Sequence, residues 1–160
     1  MIGKNIRGAL YYNENKVKEG LAECMDAIGF GASPHQLSVY QKFVRFNKLL
    51  ASNLKVRTNT LHISLNFDVS ENLSHDKLRQ IASDYMKGIG FAEQPYLVYK
   101  HNDVAHHHVH IVTTNVMSSG KRIDLHNIGK NQSERTRRQI EIDHNLVKAD
   151  SKKIDQLQPV

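Results

Sequence analysis

The fold class the sequence predicts is α/β, in its α+β form: a mainly antiparallel central sheet with helices packed on its apolar face and a polar face opposite. Three patterns predict it. Residues 60–67 alternate strictly between apolar and polar, a capped amphipathic stripe begins at Ser74, and two β-rich runs near 95–116 are separated by the four residues "NDVA".

Residues 4 to about 19 read as a helix, with Ile6, Leu10 and Val17 apolar and Tyr12 and Lys16 one turn apart on a shared face. A short apolar piece, 21–30, ends in the glycines of "GFGAS". Ser33 and Pro34 form an N-cap followed by an N1 proline, and predict a helix to about Leu50 with Leu37, Tyr40 and Val44 turned inward. In "TLHISLNF", Leu61, Ile63, Leu65 and Phe67 project to one side, and His62, Ser64 and Asn66 to the other.

Ser74 caps a helix whose stripe is Leu78, Ile81, Tyr85, Met86 and Ile89, closed by "GIG" at 88–90. The strand "PYLVYKH" follows over 95–101, and a second strand over 106–116 pairs with it as a tight antiparallel hairpin. A loop then runs to Ser133, which opens a last helix carrying Ile140 and Val147 inward and "RTRRQ" outward. Residues 1–150 make one domain, and the tail 151–160 reads as frayed or as cut from a longer protein.

At 160 residues, 39% of them hydrophobic and 24% charged, the chain suits one soluble domain with a real core. Lys and Arg outnumber Asp and Glu by 22 to 16, and the resulting charge of +6 suits a polyanionic partner. Cys24 is the lone cysteine, so no internal disulfide can form, and the start lacks the apolar core of a signal peptide. No run approaches the roughly 18 apolar residues of a membrane span. The cytoplasm is therefore the expected compartment, without membrane insertion.

Five of the ten histidines fall within "HNDVAHHHVH", 101–110. On a strand, His106, His108 and His110 share one face while Val109 and Ile111 anchor the other. A hairpin turn brings His101 back beside them, so three imidazoles can converge. Neutral imidazole is the commonest protein metal ligand, and three with open positions make a catalytic site where a structural zinc would want a fourth ligand. Asp103 is placed to orient an imidazole through its second nitrogen or to cap the turn. His107 points to the opposite face.

The string "HNDVAHHHVHIVTTN" resembles the HxDxxHxHxH motif, with its trailing Asn, here Asn115, of bacterial DNA relaxases, the mobilisation nucleases of the HUH endonuclease class. The resemblance extends to "GALYYNENK", like the family's nucleophile motif, to "LHISLNF", like its second motif, and to the downstream "GKRIDLHNIGKNQSERTRRQIE". It is strongest to mobilisation proteins of plasmids and integrative elements, whose nucleophilic tyrosine precedes the histidines. The six tyrosines, at 11, 12, 40, 85, 96 and 99, all do so.

The resemblance implies Tyr12 as nucleophile, four residues before Lys16, with Tyr11 as its competitor. It implies His101, His108 and His110 as metal ligands, and Asp103 or His106 as acid/base or orienting helpers. His62 and Ser64, in the second motif, would touch DNA near the cleavage site, or line an ordinary solvated strand face. Phosphate contacts are expected from "KVRTN", through Lys55 and Arg57, and from Arg135, Arg137 and Arg138. The implied cofactor is a divalent cation, Mn²⁺ or Mg²⁺, with Zn²⁺, Ni²⁺ or Co²⁺ also compatible. The implied partners are single-stranded origin-of-transfer DNA, relaxosome accessory proteins and a coupling protein.

The implied activity is site- and strand-specific nicking and rejoining, by tyrosine attack that leaves a 5′-phosphotyrosyl link and a free 3′-hydroxyl. Two other classes remain: a metal-dependent phosphodiesterase using water, and a non-catalytic DNA-binding module.

Overall fold

The computed structural model describes residues 2–102 and 108–149. Its framework is a five-stranded, wholly antiparallel sheet in the order β1-β3-β5-β4-β2, formed by β1 (Ile2–Gly3), β2 (Ala22–Ile28), β3 (Thr60–Asn66), β4 (Tyr96–His101) and β5 (His108–Thr114). The helices are α1 (Ile6–Lys18), α2 (Val39–Ala51), α3 (His75–Gly88) and α4 (Glu134–Asp143). No helix among the described residues is long and apolar enough to cross a membrane.

Strand alternation divides the interior in two. Leu61, Ile63, Val98, Val109 and Ile111 point to one face and pack against Leu78, Ile81, Ala82, Tyr85 and Met86 of α3 and Ile140 of α4. Leu97, Tyr99 and Val112 point to the other and pack against Ile6 and Leu10 of α1 and Phe46 of α2. The predicted class holds, with one addition: α1 and α2 cover part of the polar face as well. The reason is that this face is polar only toward the His101, His108 and His110 end, and its remainder is apolar enough to need cover.

Ser74 caps α3 as expected, its side chain accepting from the Lys77 N–H, and Gly90 leaves the helix at φ 87°, where a side chain would strain the backbone. At the last residue of α3, a Cβ on Gly88 would lie 2.3 Å from both Cγ2 and Oγ1 of Thr136. Gly88→Ala therefore destabilises the domain by about 1–3 kcal/mol through overpacking, even though alanine is intrinsically better in a helix by about 1 kcal/mol. Chemical denaturation measures it as a lowered midpoint.

Four expectations need correction. Ser33 and Pro34 open only a 3₁₀ turn, Pro34–Gln36, because Leu37 is extended at φ −107°, ψ 128°; α2 starts after Ser38, whose side chain accepts from the Gln41 N–H. Its inner face is consequently Lys42, Phe46 and Leu49, while Tyr40 and Val44 are exposed. Ser133 does not cap α4: it ends a π turn, Gly129–Ser133, with its hydroxyl 2.6 Å from Tyr85 Oη. Val147 lies past the helix and is exposed. The apolar piece at 21–30 contains β2, an edge strand whose register shifts between Cys24 and Asp26. The tail 151–160 lies outside the described residues.

Candidate active site

The site forms where three strands bring their polar faces together. In register, His101 of β4 sits opposite His108 of β5, and His110 sits between Tyr99 of β4 and Ser64 of β3. The alternation that sends Val109 and Ile111 into the α3 core sends His108 and His110 to the other face. The His101 and His110 rings stack with centroids 3.9 Å apart, and each lies 5.1 Å from the His108 ring. One nitrogen from each of the three falls within 4.8 Å of the other two.

This set fits a divalent cation. His110 Nε2 and His108 Nδ1 are 3.2 Å apart, the spacing of two ligands with metal–nitrogen bonds of about 2.1 Å. The three rings are also mostly buried, so few waters compete for their lone pairs.

α1 crosses directly over this cluster. Asn5 caps it, accepting from the Gly8 N–H, and Lys16 and Lys18 in the last turn complement the helix dipole. Tyr12, 47% exposed, faces the imidazoles, with ring centroids 5.5 Å from His62, 6.1 Å from His101 and 6.2 Å from His110. Lys16 Nζ stands 5.5 Å from the Tyr12 ring. Tyr11 points elsewhere, under the Arg7 guanidinium, which also lies over Phe43 of α2.

Behind Tyr12 the helix is unusually polar for a core-facing surface. Asn13 is fully buried, its Oδ1 2.7 Å from His101 Nε2 and its Nδ2 3.2 Å from His62 Nε2. Glu14 accepts from Lys42 Nζ at 2.9 Å and from the Tyr99 hydroxyl, joining α1 to α2 and β4 beneath the site. Burial pushes the Tyr99 phenol up, and it pushes the Cys24 thiol up to about 11 against the opposing pull of Lys42.

His62 joins the cluster itself. Its Nε2 lies 2.8 Å from His110 Nδ1, and burial holds its pKa below the usual imidazole value, which favours the neutral form. Ser64, two residues on, is exposed on the same polar face. Sequence reading offered both as DNA contacts or as an ordinary solvated strand face, and missed that His62 bonds to a proposed ligand. It missed Asn13 and Glu14 too, although both fall at core-facing positions of α1 along with Ile6 and Leu10.

Several predicted contacts are not brought to the site. Lys55 and Arg57 are exposed in the segment entering β3, at the strand end away from Asn66 and His108. Asn115, the motif's trailing Asn, is 1% exposed, and its side chain and carbonyl both bond to the Ile123 backbone, so it holds a turn. Arg137 pairs with Glu134 and Glu141, and Arg138 with Glu134, on a helix across the sheet from the imidazoles. Arg135 on the same helix is exposed. Their charges serve α4 first, since i,i+3 and i,i+4 spacing puts carboxylates in reach. Asp103, His106 and His107 lie outside the described residues.

Compared with known families, residues 12–146 match the model described as relaxase, MobA/VirD2-like, nuclease domain. No curated protein and no solved structure matches the chain.

Proposed function

The chain belongs to the MobA/VirD2-like relaxase nucleases, which nick DNA at transfer origins, and from that premise we propose that Tyr12 is the nucleophile and that His101, His108 and His110 hold one divalent cation beside it. The observation that carries this reading is the Tyr12 ring lying 5.5–6.2 Å from His62, His101 and His110, over the one three-histidine group found among the described residues.

A divalent cation supplies Lewis-acid polarisation of the scissile phosphate. Three nitrogen donors argue for Mn²⁺ over Mg²⁺, which prefers oxygen ligands; Zn²⁺, Ni²⁺ and Co²⁺ remain chemically compatible. The chain's own part is positioning and nucleophilic attack. As the Tyr12 Oη–P bond forms, the phenol proton leaves; the P–O3′ bond breaks, and the departing oxygen takes up a proton. One phosphodiester is exchanged for another, so the strand can be rejoined. Lys16 favours negative charge developing on the phenol oxygen. Asp103 or His106 remains the proposed proton carrier or orienting group, and Ser64 and His62 the groups nearest the strand. Lys55, Arg57 and Arg135 would contact phosphates farther along it. Relaxosome accessory proteins and a coupling protein are the proposed partners, and the cytoplasm the proposed compartment.

The test is to incubate the protein with Mn²⁺ and labelled single strands tiled across the transfer origin of its own element, then run a denaturing gel. A labelled band at the mass of protein plus DNA is expected. Cleavage without that band would make the protein a water-using phosphodiesterase, and neither product would make it a binding module. His108→Ala is expected to lower Mn²⁺ affinity by at least about tenfold in calorimetric titration.

A further inference from the structure

One buried amide sets the hydrogen-bond polarity of the imidazole cluster. Asn13 Nδ2 lies 2.9 Å from the Ala9 carbonyl, which can only accept, so the amide has one tenable orientation. Asn13 Oδ1, 2.7 Å from His101 Nε2, must then accept, and the proton of neutral His101 sits on Nε2 with the lone pair on Nδ1. Asn13 Nδ2 also reaches His62 Nε2 at 3.2 Å, so that atom carries a lone pair. His110 Nδ1, 2.8 Å from the same His62 nitrogen, is therefore a donor, and the lone pair of His110 lies on Nε2, the atom nearest His108.

We infer that Asn13 is a positioning residue, fixing the tautomer of His101 directly and that of His110 through His62, so that both rings present lone pairs to a cation. The inference rests on the metal-binding reading above. It follows from a general rule: which imidazole nitrogen can ligate is decided by the hydrogen bond the other one makes. Because Asn13 adjoins Tyr12, the same turn of α1 that carries the proposed nucleophile also polarises the ligands.

Nitrogen-15 NMR of the histidine rings tests this on the metal-free protein, above the usual imidazole pKa range. The unaltered protein is expected to show His101 protonated on Nε2, and His62 and His110 on Nδ1. In Asn13→Ala, His101 and His110 become tautomer mixtures, and Mn²⁺ affinity falls by about 10- to 100-fold. Should that variant fail to fold, the unaltered protein's spectrum still decides. His101 protonated on Nδ1, His110 on Nε2, or a folded Asn13→Ala with unchanged tautomers and affinity overturns the inference alone. The expected tautomers in a protein that binds no Mn²⁺ would instead overturn the metal reading, and with it the purpose assigned to Asn13.

Discussion

Tyr12→Phe forms no covalent protein–DNA adduct, while its affinity for the same single strand stays close to that of the unaltered protein. The substitution removes one oxygen and keeps the ring, and it is the ring that lies against His62, His101 and His110. Losing the attacking atom eliminates the covalent step instead of slowing it. Tyr11→Phe is the matched control, because Tyr11 sits under Arg7 and away from the imidazoles; it keeps adduct formation. The denaturing gel and a filter-binding titration read the two properties separately. An adduct from Tyr12→Phe and none from Tyr11→Phe would transfer the role to Tyr11.

The largest stability effect is expected at Lys42. Its side chain and that of Glu14 are only 4% and 10% exposed, and they meet at 2.9 Å. Lys42→Met leaves the Glu14 carboxylate buried with the Tyr99 hydroxyl as its remaining partner in this group. Breaking a buried pair from one side costs about 3–5 kcal/mol, and about 2–4 °C of melting temperature per kcal/mol applies at this chain length. The double replacement Glu14→Leu, Lys42→Met recovers much of that loss, since no charge stays buried. Thermal melts of the three proteins decide it. A single variant melting with the unaltered protein would mean that the pair contributes little to docking α1 on α2 and β4.

Where one rule governs an element, the sequence was readable. Alternation in "TLHISLNF" matched β3 because one face is core and the other polar, and Ser74 marked α3 because its oxygen accepts a first-turn N–H. The convergence of His101 with His108 and His110 followed from hairpin pairing and strand period alone. The failures have local causes. At β2 a register shift and the charges of Glu23 and Asp26 blur the alternation. Along α2 the inward stripe was placed at Leu37, Tyr40 and Val44, yet Lys42 turns inward to reach Glu14, twenty-eight positions earlier in the chain. Pairing across that distance is invisible to periodicity. The arginines of α4 were read as phosphate contacts, and their pairing with Glu134 and Glu141, one turn away, was missed. Asn13 and Glu14 stood at inward helical positions throughout, and polar groups there were the available sign of a buried network.

Anomalous scattering from crystals soaked in Mn²⁺ tests the central claim most directly. The expected map has one strong peak among the His101, His108 and His110 rings, on the face that carries Tyr12. A protein whose histidines show no peak, or whose ion sits elsewhere with the three rings disengaged, would contradict it.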